Sequence, residues 1–419
     1  LEIRDAVDVD LDRVDLSEIK EAIGALAPER RRELLAWIEE QKRPRWTAWR
    51  NRLRARFDGW PGLARAVAGT LIGLIGFACV DGAIFHSGWY SKYLEPNSMA
   101  GQVEYHLFWL WRMWPAKVPD VLVLGDSRMA EGFSAPAASA AVGGKVHFIN
   151  FGMPGATPRV WYYTLLDAEK DRTRFSAIVI PFDHYSDIDG GEDLANRAED
   201  MSYLAGRLHW YDCWSFSRSF TKAEFRREVL GDCLIRGLAL RADVLAFLPG
   251  ISKRLERAKD WRNHGASYIE SYSGRTEAMT GLTFDSPTRT IHFPAGMTKS
   301  QIDTAKATVT PYVVPQTGAL TAYRRRWIGA ILDLYKNSAT RFIFIQIPNA
   351  PLPLPDSDVP ARFVDSVKGH PRLTVLPADT FHYLQKPEFF FDGLHLNRTG
   401  QQLFSAQLAK AVEPIVGAR

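Results

Sequence analysis

Cysteine is scarce in this chain: three occur among 419 residues, and Cys79, Cys213 and Cys233 match neither a zinc-ligand spacing nor a CxxC redox motif. Cys213 and Cys233 either pair, if they face an oxidising compartment, or stand as two small apolar residues. Neither sign of charge is in excess, since 52 Lys and Arg against 48 Asp and Glu leave a formal charge of +4. So small a balance gives no reason to expect a nucleic-acid partner. Apart from His184 and His395, the histidines show no metal-ligand spacing with nearby acids, so no metal and no cofactor is expected. Long apolar runs are also rare, and only one approaches the length of a membrane span.

What is present is a folded composition, 46% hydrophobic and 24% charged, in a chain longer than one usual domain. The long apolar run, Leu63 to Phe85, supplies the roughly 20 residues that a bilayer-spanning helix needs. Asp81 lies near its end, where an acid reaches the far interface rather than the costly bilayer centre. Seven basic residues lie between Lys42 and Arg56, whereas "SGWYSKYLEPN" after the run carries one lysine. That asymmetry predicts a cytoplasmic N-terminus and an exported remainder, in a single-pass protein of the cell or inner membrane. The run begins too far along the chain, and continues too long, for a cleavable signal.

Residues 1–62 then form a cytoplasmic arm. Ile19, Ile23, Leu26, Leu34, Leu35 and Ile38 fall near helical spacing with a break at Pro28, which predicts two short amphipathic helices ahead of the basic segment. Their apolar stripe meets a partner, another copy of the chain or the membrane surface, or else the pair is a solvated tether. Residues 86–118 are expected to be a membrane-proximal segment with an interfacial, tryptophan-bearing helix.

Beyond it, short apolar runs recur at 120–125, 145–152, 176–183 and 341–348, with helical compositions between them. Strands this apolar alternating with helices predict an α/β fold whose parallel sheet is covered on both faces. Residues from about 190 to 320 break the alternation and read as a large, mostly helical insertion, a lid or a wall of a substrate groove.

In such folds reactive groups gather at the carboxyl ends of the strands. The first strand ends in Gly125-Asp126-Ser127, and far along the chain "FFFDGLHLNRTG" places Asp392 three residues before His395. A serine nucleophile needs a base and a group that orients the base. Ser127, His395 and Asp392 supply those three roles. Arg128, next to the serine, is either an anchor for an anionic substrate or an ordinary surface charge.

These two blocks, in this order, resemble the GDSL or SGNH hydrolase superfamily, over the parts of the chain near 120–190 and 320–415. The resemblance implies a flavodoxin-like SGNH three-layer sandwich across 119–415 and matches Gly155, in "NFGMPGATP", to the family's oxyanion glycine. The third block departs from it: Asp183 stands where the family has asparagine, so that His184 or Asn349 is left as the second oxyanion donor.

A single membrane anchor ahead of such a domain resembles the accessory proteins of cell-surface polysaccharide and teichoic acid acylation. That likeness implies a serine O-acyltransferase acting on a polysaccharide acceptor, beside a membrane-bound O-acyltransferase and in a complex or homo-oligomer joined through the cytoplasmic helices. An esterase of the same fold, acting on carbohydrate or lipid, and a catalytically silent subunit of an envelope polysaccharide machine are the alternatives.

Overall fold

The computed structural model describes residues 29–30, 32, 51–52, 61–182, 193–264, 281–285, 287–288, 290–309, 322–348, 351–352, 362–367 and 369–417. The expected helical arm of residues 1–62 therefore lies outside the described residues, apart from helical positions at 29–30, 32 and 51–52 and residues 61–62. The chain divides into two compact units, Leu1–Phe77 and Ala78–Arg419.

Helix α1, Gly62–Asp81, carries no acidic residue in its first turn and exposes its apolar side chains along its length. Ala66–His86 is the one stretch among the described residues that is helical, long and apolar enough to cross a membrane. Its end is tied to the domain: Asp81 is buried, and its carboxylate accepts hydrogen bonds from the backbone N–H groups of Arg236 (3.1 Å) and Gly237 (2.8 Å). A buried carboxylate needs such donors to replace water. Residues 82–86 form a single wide turn whose Ile84 and Phe85 pack on the domain core.

The second unit is built on a parallel sheet. Helix α2 (Met99–Arg112) precedes β1 (Asp120–Gly125), which leads through α3 (Ser127–Gly132) and α4 (Ala135–Ala141) to β2 (His147–Gly152). Helix α5 (Pro158–Ala168) connects β2 to β3 (Phe175–Phe182). Local chemistry starts these helices: the side chains of Ser98, Asp126, Ser134 and Thr157 cap α2, α3, α4 and α5.

After β3 comes the long interruption. Helices α6 (Asp200–Leu204), α7 (Asp212–Ser217), α8 (Ala223–Leu234), α9 (Arg236–Ala239), α10 (Arg241–Phe247) and α11 (Ile251–His264) follow in turn. The small antiparallel pair β4 (Thr283–Asp285) and β5 (Thr290–His292) and helix α12 (Lys299–Val309) complete the region. Its described residues are mostly helical, and Cys213 and Cys233 form a disulfide between α7 and α8 with their Cα atoms 5.5 Å apart. Helix α13 (Ala322–Leu334) then returns the chain to the sheet, which gains β6 (Arg341–Gln346) and β7 (Leu373–Val375) before the terminal helix α14 (Arg398–Gly417).

The sheet order is β2-β1-β3-β6-β7, and every pairing within it is parallel. Four of the strands fall on the apolar runs. The fifth, Leu-Thr-Val, is too short to announce itself by pattern. Alternation along the strands divides the core: Leu122, Leu124, Ile178 and Ile180 point to one layer, with α2, α5 and α13. Val121, Val123, Ala177 and Val179 point to the other, with α4 and α14. This is the helix-covered parallel sheet that continuous apolar strands require.

Residues 86–118 belong to the second unit. Tyr90, Leu94, Val103, Leu107 and Leu110 are buried in the same core as β1 and β3, because the apolar stripe of α2 is one wall of that layer. Trp111 and Trp114 remain exposed.

The helical region is locked to the sheet by an ion pair with no solvent access. Arg159 in α5 donates to the Asp200 carboxylate at 3.2 Å, stacks over the Phe220 ring at 3.8 Å and donates to the carbonyl of Ala195. Thr157 and Tyr323 donate to the same Asp200 oxygen. Removing one partner strands the other charge in the interior. Asp200→Ala should therefore cost about 3 to 5 kcal/mol of stability. Urea unfolding followed by circular dichroism measures this, and an unchanged midpoint would mean that the pair carries no part of the fold.

Candidate active site

β1 and β2 run side by side up to the pair Gly125 and Gly152, and Met153 N–H donates to the Gly125 carbonyl at 3.0 Å. The chain leaves β1 through Asp126 into α3, so Ser127 is the first residue of a helix set against the carboxyl edge of the sheet. Asn150, a polar residue within an apolar strand, holds that helix in place. Its side-chain amide donates to the carbonyls of Met129, Ala130 and Phe133, and its oxygen accepts from Gly152 N–H.

His395 arrives from the far end of the chain on a tight turn. Phe391 N–H donates to the His395 carbonyl at 3.1 Å, Phe390 bridges Leu396, and the buried Asn397 caps α14 by accepting from Gly400 N–H at 3.0 Å. Asp392 accepts from the backbone N–H groups of Leu394 (2.8 Å) and His395 (2.7 Å). The same carboxylate reaches His395 Nδ1 at 2.9 Å, and His395 Nε2 lies 2.9 Å from Ser127 Oγ. The three residues thus form one unbroken relay from carboxylate to imidazole to hydroxyl, and Phe391 stacks its ring on the imidazole.

Glu131 was not legible as a site residue, yet its carboxylate stands 4.0 Å from His395 Nε2. Its position four residues after Ser127 is the signal that could have found it, since i and i+4 share a helix face. Asn150 had its own signal, a lone amide inside "HFINFG".

Burial disfavours the charged forms here, but local partners outweigh it. For His395, burial pulls the pKa down, while the hydrogen bond and charge of Asp392 and the charges of Glu131 and Asp126 raise it above the ordinary 6.5. For Asp392, burial pushes up and the hydrogen bonds from the His395 ring and from the backbone of His395 and Leu394 hold it below 3.8. The pair is set up to be ionised Asp392 beside an imidazole that readily accepts a proton.

Arg128 is paired within its own turn. Its guanidinium forks onto the Asp126 carboxylate, with Nη2 to Oδ2 at 2.6 Å and Nε to Oδ1 at 3.1 Å. It thereby offsets the negative charge of the residue just before Ser127, and an anionic ligand would have to compete with that carboxylate.

Gly155 lies in the loop after β2 with φ +77°, and a Cβ there would stand 2.6 Å from the Tyr203 hydroxyl. Only glycine suits both the left-handed backbone and that close approach. Tyr203 OH donates to the neighbouring Pro154 carbonyl, so helix α6 fixes the loop. On the opposite flank, a Cβ on Gly393 would come within 2.7 Å of the Thr308 carbonyl, so α12 borders the Asp392 to His395 turn. The first helix of the inserted region therefore meets the Gly155 loop, and the last one the Asp392 to His395 turn. Asp183, His184 and Asn349 lie outside the described residues.

No family model matches this chain, and no curated protein matches it.

The raised His395 value has a testable sign. Nuclear magnetic resonance titration of the imidazole should give a midpoint above 6.5, which Glu131→Gln lowers and Asp392→Asn lowers further, since each removes a negative charge that favours the protonated ring. A midpoint unmoved by Asp392→Asn would show that the ring is not held as described.

Proposed function

We propose that the chain is a membrane-anchored, extracytoplasmic serine acyltransferase of the SGNH type, with the flavodoxin-like three-layer sandwich of that group, which O-acylates a cell-surface or secreted polysaccharide. The observation that carries this reading is the aligned relay, Asp392 to His395 to Ser127, with each hydrogen bond at 2.9 Å. The exposed apolar helix α1 and the Cys213–Cys233 disulfide, a bond that persists in oxidising compartments, support an exported domain behind a membrane anchor.

In the first half-reaction Ser127 Oγ attacks the carbonyl carbon of an acyl donor and passes its proton to His395 Nε2. Asp392 holds the ring through Nδ1 and stabilises the imidazolium that forms. The tetrahedral oxyanion needs donors, and the Gly155 N–H is the candidate on this chain. Its collapse breaks the bond to the donor's leaving group, which takes the proton from His395, and leaves an ester on Ser127. In the second half-reaction His395 removes the proton of an acceptor hydroxyl, the hydroxyl oxygen attacks the ester, and Ser127 Oγ recovers a proton. The bordering helices α6 and α12 suit a glycan-holding wall, and a membrane-bound O-acyltransferase is the fitting source of the acyl group.

With water in place of the sugar hydroxyl the same site is an esterase. The side chain of Asp392 is 41% exposed, which leaves the turn open to solvent and favours that second reading. A silent subunit would have no need of an aligned relay.

An acetyl ester of p-nitrophenol, offered with and without an oligosaccharide acceptor, separates the readings. Ser127 should become acetylated, as seen by mass spectrometry, and the acceptor should gain the acetyl group. Cleavage without transfer would leave the esterase, and an unmodified Ser127 with no turnover would remove both enzymes. Ser127→Ala should lower turnover by roughly three orders of magnitude or more. The rate should rise with pH through a value above 6.5, because His395 acts as a base only when neutral and its partners hold its proton on.

A further inference from the structure

The inserted helices do more than border the site. Their middle part, α8 to α11, turns a row of large apolar side chains outward. Leu234, Leu238, Leu245, Leu248, Ile251 and Leu255 are 54, 42, 68, 58, 44 and 40% exposed. They follow one another through the consecutive short helices α8 to α11, so the exposed apolar side chains are concentrated in one stretch of the chain. Exposed leucines scattered singly need no explanation, whereas a concentration of them does. Arg241, Lys253 and Lys259 are exposed in the same stretch, together with Glu256 and Asp260.

The ridge is fastened to the residues that follow the apolar helix. Asp81, the last residue of α1, accepts hydrogen bonds from the first two N–H groups of α9. Tyr90 donates to Asp243 in α10 at 2.7 Å and meets the Phe247 ring edge-on at 5.8 Å. Arg254 in α11 binds both Glu95 and Asp243. Trp89, half exposed, contacts Tyr93, whose ring lies 6.2 Å from Phe247. Leu238 is one residue beyond the Gly237 that Asp81 grips, and α10 begins three residues later. At about 1.5 Å of rise per residue, Leu245 and Leu248 lie only on the order of 10 to 20 Å along the chain from that grip.

We propose that the ridge formed by α9, α10 and the start of α11 is a lipid-binding surface that lies in the membrane interface, holding the second unit against the bilayer beside the exit of its own anchor. The proposal rests on reading α1 as a membrane span. If α1 crosses, Asp81 stands at the water boundary, and the headgroup region there is about 5 to 8 Å deep on each side. An element pinned to Asp81 cannot be far from it. An exposed leucine row with basic residues in the same stretch and a tryptophan at its edge is the pattern of a helix that lies in that layer. The occupant is therefore the acyl-chain and headgroup boundary of the bilayer itself.

The test uses the full chain reconstituted into phosphatidylcholine and phosphatidylglycerol vesicles. Cys79→Ala removes the one cysteine outside the disulfide. An environment-sensitive fluorophore is then attached singly through Leu245→Cys, Leu248→Cys, Leu74→Cys within α1, and Lys410→Cys on α14. All four positions are exposed, so the core is untouched. The fluorophores at 245 and 248 should shift to the blue and lose emission when the lipids carry nitroxides on their acyl chains. The fluorophore at 410 should respond only to aqueous iodide. Loss at 74 but none at 245 and 248 would overturn the ridge while leaving the anchor intact. No loss at 74 would remove the anchor and the ridge with it. Fluorophores at 245 and 248 shielded from iodide yet indifferent to the nitroxide lipids would assign the ridge to a protein partner and overturn the proposal.

Discussion

The candidate site depends on one seam, the packing of the start of α14 on α3. Gln401 donates its side-chain amide to the Glu131 carbonyl, Ser405 Oγ accepts from Ser134 N–H at 2.8 Å, and Leu396 packs against Gly132. These contacts join residues about 270 apart in the chain, and through them the turn that carries Asp392 and His395 meets Ser127. The relay itself adds little strength to the fold. A hydrogen bond of this sort contributes about 1 kcal/mol net, so the positions must be set by the surrounding packing. That packing comes from the layer in which Val121, Val123, Phe404 and Leu408 are buried together.

The opposite layer does the same for the glycine loop. Thr157 caps α5, and the Arg159–Asp200 pair ties that cap to α6, whose Tyr203 reaches back to Pro154. The inserted region thus supports one side of the site through a buried polar network in which the Asp200 carboxylate accepts several hydrogen bonds, the condition under which buried charge is tolerated. Further along, the same region grips Asp81 and the residues after α1. One stretch of chain bears on both the candidate active site and the end of the apolar helix, which gives its length a physical purpose beyond closing a loop.

Much of this was readable beforehand wherever chemistry is local. The four longer strands declared themselves through apolar runs, and α4 and α5 through the helical composition of the segments between them. Ser127, Asp392 and His395 stood out because each sits beside a recognisable turn. Other features stayed hidden for specific reasons. Glu131 and Asn150 become meaningful only once α3 lies over β2, and β7 is three residues long. Residues 86–118 carry aromatics that suit a membrane interface and a protein core equally well, and the burial of Val103 and Leu107 decided for the core. Whether Arg128 pairs within the protein was not readable either, because its fork onto the Asp126 carboxylate depends on the turn geometry at the start of α3.

The sequence by itself determined the alternation of strand and helix, the single long apolar helix, and the residue types able to form a serine relay, because these follow from periodicity, capping and side-chain chemistry within a few residues. Only the tertiary structure decided that the relay is aligned, that Asp81 is buried against the start of α9, that Cys213 meets Cys233, and that a run of apolar side chains from α8 to α11 is left exposed. Each of those is a contact between distant segments, and such contacts depend on how whole layers pack, which no local pattern encodes.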